Sequence, residues 1–179
     1  MIPIVILLVV GNFSIIILYW IDNLEISRSK FKIIGHQWFW EYRYVNWNFS
    51  WQHIDESIKI VECYIVNSSE LDKGFIRLIE THYRPVLPYE NIIQTVIRRE
   101  DVLHSWTIPG LGVKTDATPG RLNVINFISL YPGIQFGQCR EICGANHRFM
   151  PIILEFIRLE FHMYLNRDYW FIKNKYNLD

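Results

Sequence analysis

Two cysteines, a histidine and a methionine lie close together in one short segment of the chain. Cys139, Cys143, His147 and Met150 fall within twelve residues of the stretch GQCREICGANHRFM. All four side chains can coordinate metals, and glycines bound the segment, so we expect a loop that turns several side chains toward one point. The alternative without a metal is a disulfide between Cys139 and Cys143, or two buried thiols, with His147 and Met150 as incidental neighbours.

Three kinds of metal site could use these residues. A zinc site would combine the two cysteines and His147 with a distant histidine in a tetrahedral set. Met150 argues against zinc, because a thioether is a soft ligand that favours copper. An upstream histidine followed by a Cys, His and Met loop is the order of a single-copper blue site, but this loop has two cysteines. Two thiolates four residues apart can instead bridge two copper ions, each with one histidine nitrogen, and such a pair would relay electrons.

The remaining histidine ligand has to come from elsewhere in the chain. His104, in EDVLHSWTIPGLG, is expected at the end of a strand, just before turn residues. The other four histidines, His36, His53, His82 and His162, lie in aromatic, polar or tail segments and are expected to be surface or packing residues. His104 is therefore the predicted upstream ligand.

The elements that position these residues begin with an uncharged N-terminal segment. The first 21 residues contain no charged side chain, and about 20 helical residues span roughly 30 Å of hydrocarbon. We predict a transmembrane helix over residues 1–24, because a cleaved signal peptide would have a basic start and a small-residue cleavage site. The basic flank SRSKFK would, by the positive-inside rule, hold the following domain in the cytoplasm or its equivalent.

The chain changes character after a linker predicted over residues 25–34. Short runs of β-branched and aromatic residues alternate with Pro, Gly, Asn and Asp, which predicts an antiparallel sandwich or barrel over residues 35–161. The clearest predicted strands lie in FIRLIE (75–80), NIIQTVIR (91–98), RLNVINFISL (121–130) and MPIILEFIRLEF (150–161). The tail, residues 162–179, has a helical period and is predicted to face a partner or cap the barrel.

Composition excludes several classes of function. The chain has 179 residues, and its 18 basic and 18 acidic residues balance, so no global field favours nucleic acid as a partner. A Gly-rich phosphate loop and a Gly-x-Ser-x-Gly elbow are both missing from the sequence, which argues against nucleotide chemistry and triad hydrolysis. Function is therefore expected to come from a local site.

Further motifs accompany the cysteine loop. GHQWFWEY, LPYEN, EDVLHSW and PGLGVKTDATPGRLN precede GQCREICGANHRFMPI. In order and in spacing the whole set resembles subunit 2 of cytochrome c oxidase, the heme-copper terminal oxidase of respiration. The resemblance covers nearly the whole chain, and it implies an all-β, cupredoxin-like Greek-key barrel or sandwich behind an N-terminal transmembrane α-helix. It also implies the mitochondrial inner membrane, with the domain in the intermembrane space, or a bacterial plasma membrane with the domain in the periplasm.

The resemblance implies a complete set of metal ligands. They are His104, Cys139, Cys143, His147, Met150 and the backbone carbonyl of Glu141, and they would hold a dinuclear copper A centre. The carboxylate of Glu141 is implied to bind a magnesium ion shared with the large catalytic subunit. Taken alone, Glu141 would be a solvated loop residue.

The resemblance also implies a route for electrons. Reduced cytochrome c would pass single electrons through Trp38 to the copper centre and on to heme in the large subunit, within a proton-translocating oxidase whose oxygen chemistry lies outside this chain. An aromatic run such as the one around Trp38 would otherwise be core packing. Cytochrome c is basic, so acidic residues should steer its approach. The candidates are Glu41, Asp55, Glu56, Glu100, Asp101 and Glu141.

Two departures from the family and two alternatives stay open at this stage. The family commonly has acids just after the tryptophan segment, where this chain has Arg43. The family also has two membrane helices, and this chain is expected to begin within the second, which would place Met1 in the matrix and the copper domain outside, against the positive-inside count.

The alternative functions are a redox-inert assembly module with a Cys139 to Cys143 disulfide, and another membrane-tethered electron carrier with the same copper centre.

Overall fold

The computed structural model begins with one long apolar helix. The structure describes residues 2–22, 27, 29–45, 59–71 and 73–165. Helix α1 (Ile2–Asp22) satisfies its backbone hydrogen bonds internally and has apolar side chains over most of its surface. Its segment Ile2–Trp20 is long and apolar enough to cross a membrane, by length and composition, and none of it is buried against the rest of the protein. It is the candidate membrane span that the sequence predicts.

The rest of the described chain is mostly β-structure. Its strands are β1 (Ser29–His36), β2 (Phe39–Val45), β3 (Lys59–Cys63), β4 (Val86–Pro88), β5 (Ile93–Arg99), β6 (His104–Ile108), β7 (Val113–Ala117), β8 (Asn123–Phe127), β9 (Gly133–Gln138) and β10 (Pro151–Ile157). One-turn 3-10 helices cover Pro109–Leu111 and His147–Phe149, and residues 159–165 are helical. The strands β5, β8 and β10 lie within three of the predicted runs of β-branched residues.

Three sheets enclose one core. Their strand orders are β3-β2-β1-β5-β8, β4-β10-β9 and β6-β7. Most neighbouring strands are antiparallel, but β1 pairs with β5 and β4 with β10 in parallel. The predicted antiparallel sandwich or barrel thus also contains two parallel pairs. Parallel neighbours need long connections, and in both pairs the partner strands are far apart in sequence.

The core is a continuous cluster of large apolar side chains from all three sheets. Trp40 and Tyr42 of β2 pack there with Trp106 of β6 and Phe156 of β10, each at most 1% exposed. Burying side chains of this size supplies most of the stabilisation of such a domain. The cluster also includes Cys139, Cys143 and Met150, so the predicted metal ligands lie at the edge of the core rather than on an outlying loop.

The sheet begins earlier in the chain than the sequence indicates. Strand β1 starts at Ser29, so the expected boundary at residue 35 falls inside a strand. Phe31 and Ile33 point into the core, while Lys30 and Lys32 alternate with them on the other face. The two lysines gave the segment the polar character of a linker, although the period of two is that of a half-buried strand.

The strand predicted over residues 75–80 is wrong. The amides of Ile79 and Glu80 both donate to the carbonyl of Ile76, at 3.4 and 3.3 Å, and Leu78 has a positive φ of 68°. These are the features of a local turn. The Glu80 carboxylate is buried and accepts two hydrogen bonds from the Arg84 guanidinium, at 2.9 and 2.8 Å. The Glu80 carbonyl accepts the Val66 amide at 2.9 Å, so the segment joins its neighbour at the end of this turn.

A short helix covers the first described residues of the tail. Residues 159–165 are helical, so the helix begins before the expected boundary at residue 161. The amide of His162 donates to the carbonyl of Arg158 at 3.0 Å. Residues 166–179 lie outside the described part of the chain.

Candidate metal centre

The cysteine loop is the connection of a β-hairpin. Strands β9 and β10 are antiparallel neighbours, with Gln138 opposite Pro151, and the Cys139 amide donates to the Met150 carbonyl at 3.2 Å. This bond closes the neck of the loop. Beyond it, Gly144 has a positive φ of 120°, which favours glycine, and it accepts a hydrogen bond from the amide of His147 at 3.2 Å. The predicted loop between two strands is confirmed.

The predicted ligand atoms form a continuous row. His104 Nδ1 lies 3.9 Å from Cys139 Sγ, the two sulfur atoms lie 4.0 Å apart, and Cys143 Sγ lies 3.5 Å from His147 Nδ1. Ligand atoms of His104, Cys139 and Cys143 all fall within 4.8 Å of one another. Each sulfur therefore has the other sulfur on one side and an imidazole nitrogen on the other.

The thiols are free and enclosed. All three cysteines of the chain, each within the described ranges, are unpaired, so the structure contains no Cys139 to Cys143 disulfide. Burial, followed by the neighbouring Cys139 thiol, raises the pKa of Cys143 to about 12. Without a metal this thiol is protonated at neutral pH, and a cation that binds here must displace its proton.

His104 reaches the loop from a different sheet. It is the first residue of β6 and is fully buried, whereas the sequence indicated the end of a strand just before a turn. Burial lowers the pKa of His104, and the hydrogen bond with Asp101 opposes that shift without cancelling it. The Nε2 atom lies 2.8 Å from Asp101 Oδ1, which leaves Nδ1 directed at Cys139 as a neutral nitrogen ligand.

Glu141 and Met150 complete the predicted set. The Glu141 carbonyl accepts a hydrogen bond from the Cys139 thiol at 3.3 Å, so the backbone of this residue faces the sulfur atoms. Met150 is 1% exposed and lies in the same apolar cluster as both cysteines. The structure therefore brings every residue of the predicted ligand set to one end of the barrel.

Trp38 lies against this loop. It occupies the turn between β1 and β2, and its indole nitrogen donates to the Cys143 carbonyl at 3.2 Å. The side-chain amide of Gln37 donates to the same carbonyl at 2.8 Å. A Cβ on Gly144 would lie 3.2 Å from Trp38 Cζ2, tighter than most real contacts, so glycine lets the loop approach the indole. The half-buried Trp38 thus connects the surface with a ligand residue.

The predicted docking acids are less available than the sequence indicated. Glu41 is 7% exposed and pairs with Arg43 Nε and with His36 Nε2, the latter at 3.2 Å. Burial alone would raise the pKa of Glu41, but the hydrogen bond and charge of Arg43, helped by His36, hold it below its usual range. Glu41 does not present a free carboxylate, because Arg43 lies two positions along the same strand face. Its assignment as a docking residue stays a prediction.

The other candidate acids differ in their exposure and in their hydrogen bonds. Glu100 is exposed and lies 3.1 Å from Arg98 Nη2. The Asp101 carboxylate accepts hydrogen bonds from inside the domain, as described below. Glu141 is half-buried, and Asp55 and Glu56 lie outside the described residues.

Two neighbours of His104 were missed in the sequence. A Cβ on Gly35 would lie 2.8 Å from His104 Cδ2, so only glycine leaves room for the imidazole here. The ring of Trp40 meets the His104 ring edge-on, with centroids 5.8 Å apart. The available signal was the motif GHQWFW itself. Its glycine had no assigned role, and Trp40, whose family resemblance implies packing against the catalytic subunit or a place on the docking surface, is instead fully buried.

The remaining histidines are surface or packing residues where they are described, and His82 is exposed. His36 stacks on Phe39, with ring centroids 4.6 Å apart, and the His162 ring lies 6.5 Å from that of Tyr44. His53 lies outside the described residues.

Comparisons with known proteins give the family and the fold of this domain. Residues 30–157 match the family model described as cytochrome c oxidase subunit II, periplasmic domain. The structure is similar to the periplasmic domain of subunit II of cytochrome oxidase of Bradyrhizobium japonicum, with 28% identity and a TM-score of 0.67 over 80% of this chain and 94% of that chain. These matches confirm the predicted cupredoxin-like β-fold.

Two further structures are similar. One is a mixed disulfide intermediate between a thioredoxin-like protein and subunit II of cytochrome c oxidase, with 26% identity and a TM-score of 0.64 over 82% of this chain and 94% of that chain. The other is a heme-copper terminal oxidase dimer, which at 15% identity and a TM-score of 0.51, over 87% of this chain and 96% of that chain, shows the fold alone. Because the family model spans well over half of its length, the chain belongs to the cytochrome c oxidase subunit II family.

Proposed function

We propose that this chain is the electron-accepting subunit of a heme-copper oxidase and that its cysteine loop holds a dinuclear copper A centre. The observation that carries the proposal is the row His104, Cys139, Cys143, His147, in which successive ligand atoms are 3.5 to 4.0 Å apart. Membership of the subunit II family supports the same role.

The donor set fits two copper ions. The thiolates of Cys139 and Cys143 and the imidazoles of His104 and His147 would hold the two ions. The soft thioether of Met150 and the Glu141 carbonyl would be further, weaker donors. When bound, the copper would supply reversible one-electron transfer.

The surrounding residues prepare the site for that chemistry. Burial favours the neutral form of the His104 imidazole, and the Asp101 contact orients the ring so that its Nδ1 lone pair faces the sulfur atoms. The apolar core around Cys139, Cys143 and Met150 excludes water from the inner side of the site. Ligands held in this way would need to move little between the oxidised and the reduced state of the site.

Trp38 is proposed as the residue through which electrons reach the centre. Its half-buried indole is joined to the Cys143 carbonyl by a single hydrogen bond of 3.2 Å. Cytochrome c is the proposed donor, and heme in the large subunit, where oxygen is reduced and proton translocation is driven, is the proposed acceptor. The carboxylate of Glu141 is proposed to bind magnesium at the boundary with that subunit.

The proposed location follows from the helix and the family. Helix α1 would anchor the domain to a membrane, with the β-domain outside, as the family description of a periplasmic domain indicates. We place it in the mitochondrial inner membrane, with the metal centre in the intermembrane space, in a complex with the other oxidase subunits.

A thiol-reducing partner is also proposed. A related subunit II has been captured in a mixed disulfide with a thioredoxin-like protein. Cys139 Sγ and Cys143 Sγ are 4.0 Å apart, close enough to form a disulfide after a small movement. A thioredoxin-like protein would keep both thiols reduced until the metal binds.

Metal content and spectroscopy test the proposal. The fragment from residue 27 onward would be expressed, since a related periplasmic domain has been crystallised separately from its oxidase, and it would then be loaded with copper. Two coppers per chain, with a paramagnetic resonance spectrum of one electron shared between two copper nuclei, are expected. One copper, one zinc, or a metal-free disulfide in the folded fragment would overturn the proposal.

A further inference from the structure

Asp101 receives hydrogen bonds from three directions. It lies between β5 and β6, three residues before His104. Its Oδ1 atom is 2.8 Å from His104 Nε2 and 2.6 Å from the Val102 amide, and its Oδ2 atom accepts the Gln37 amide at 2.5 Å. One carboxylate therefore joins a ligand histidine to the turn between β1 and β2.

That turn is also bonded to the cysteine loop. The Gln37 side chain and the Trp38 indole both donate to the Cys143 carbonyl, at 2.8 and 3.2 Å. The result is a continuous chain from His104 through Asp101 and Gln37 to Cys143. His104 lies in the β6-β7 sheet and Cys143 in the loop between β9 and β10, so this series of hydrogen bonds joins two sheets. The Asp101 carboxylate is its charged member.

We propose that Asp101 is a positioning residue that couples the His104 imidazole to the Gln37 and Trp38 turn. This inference rests on the proposed copper site. Its consequence is that one carboxylate sets both the orientation of a copper ligand and the position of the residue through which electrons arrive.

The chemistry of the carboxylate favours this role. Its side chain is only 32% exposed, and both of its oxygens already accept hydrogen bonds from within the domain. One carboxylate thus serves three groups at once, the His104 ring and the backbone amides of Gln37 and Val102. An imidazole whose outer nitrogen is held by a carboxylate is fixed in both tautomer and ring orientation.

Glu100 provides a matched control. It is the preceding residue and carries the same charge, but its side chain is 57% exposed and contacts Arg98 on the outer surface. Glu100→Gln removes one negative charge at nearly the same place without touching His104 or Gln37. Loss of charge can therefore be separated from loss of the hydrogen bonds.

The test compares Asp101→Ala, Asp101→Asn and Glu100→Gln in the full chain, purified in detergent. In the metal-free chain, hydrogen exchange of the Gln37 amide is expected to be about tenfold or more faster in Asp101→Ala, because the amide loses an ionised acceptor. In the copper-loaded chain, loss of copper to a Cu(I) chelator is expected to be about tenfold or more faster in the same variant. Asp101→Asn, which keeps one acceptor oxygen, should fall between Asp101→Ala and the parent, and it serves as the main variant if Asp101→Ala does not fold.

The outcomes separate two kinds of failure. Glu100→Gln should match the parent in both measurements. If the Asp101 variants also match it, or if only one of the two measurements changes, the coupling is overturned. If the parent chain itself does not bind two coppers, the proposed function fails instead. The amide measurement in the metal-free chain then still tests whether Asp101 holds the Gln37 amide.

Discussion

The indole nitrogen of Trp38 donates a hydrogen bond to the backbone carbonyl of Cys143, 3.2 Å away. Trp38→Phe keeps an aromatic ring in the turn but removes this bond. We expect the rate of copper reduction by reduced cytochrome c, followed in a stopped-flow spectrometer, to fall at least about tenfold, equivalent to roughly 1.4 kcal/mol in the barrier. Copper content should not change.

The control for this variant is Tyr131→Phe, which alters an exposed aromatic residue outside the turn and the cysteine loop. It should reduce at the parental rate. An unchanged rate in Trp38→Phe would mean that electrons reach the copper by a path that does not need the indole.

Gly35→Ala should disturb the site by crowding. Its Cβ would lie 2.8 Å from His104 Cδ2 and 3.1 Å from Trp40 Cζ3, two rings that are fully buried. Overpacking of this kind costs about 1 to 3 kcal/mol, and here the displaced group is a predicted metal ligand. We expect a lower melting temperature of the full chain and an altered copper resonance spectrum. Gly11→Ala, with nothing within 4 Å of the added atom, is the matched change and should leave both unchanged.

Glu41 should make the stability of the domain depend on acidity. Its pKa is held below the ordinary value of 4.5, so the stabilisation is fully present above that pH and is lost as the pH falls through the lowered value in the folded state. Glu41→Gln should lower the free energy of unfolding at pH 7 by about 1.5 to 3 kcal/mol, because a charged hydrogen bond is lost. Urea titrations of the fragment from residue 27 at several pH values would measure this.

The loss in Glu41→Gln should shrink toward pH 3, where the parent carboxylate also begins to be protonated. Glu100→Gln, which alters an exposed ion pair, should change the unfolding free energy by less than about 1 kcal/mol at either pH. A loss in Glu41→Gln that was equally large at pH 3 and pH 7 would show that the ionised pair is not its cause.

The two loop thiols should form a reversible block to metal uptake. Treatment of the metal-free fragment with diamide should join Cys139 to Cys143, whose sulfur atoms are 4.0 Å apart, with the loss of two hydrogens seen by mass spectrometry. Copper binding should then be abolished, and dithiothreitol should restore it. Cys63 is buried and its pKa is raised to about 12, so it should stay a free thiol and Cys63→Ser should respond as the parent does. Copper binding that survived complete oxidation would contradict this assignment.

The ligand loop could be predicted from sequence because its information is local. Cys139, Cys143, His147 and Met150 are close in the chain, and a hairpin connection brings neighbours in sequence together in space. His104 was found through its resemblance to a known pattern, although the sequence placed it at the wrong end of its strand. Runs rich in β-branched residues likewise contained β5, β8 and β10.

The sequence-based predictions failed where the structure of a segment depends on residues distant in the chain. The apolar run at residues 75–80 forms a turn that the Glu80 and Arg84 pair closes. Whether an acid such as Glu41 is a surface charge or a buried partner depends on which side chains share its face of the sheet. Arg43, two residues along the same strand, was a usable signal for Glu41. No short-range signal placed the Gln37 amide opposite Asp101, since 64 residues separate them.

The candidate metal centre lies where three sheets meet. His104 comes from the β6-β7 sheet, the cysteine loop from the β4-β10-β9 sheet, and the Gln37 and Trp38 turn from the β3-β2-β1-β5-β8 sheet. The backbone ladders of the described strands run within each sheet, and the Arg140 amide, which donates to the Ser105 carbonyl at 3.0 Å, joins the cysteine loop to β6. Copper bound at this junction would add links between side chains of different sheets, and in a domain that has lost it we expect the contacts between the sheets to loosen first.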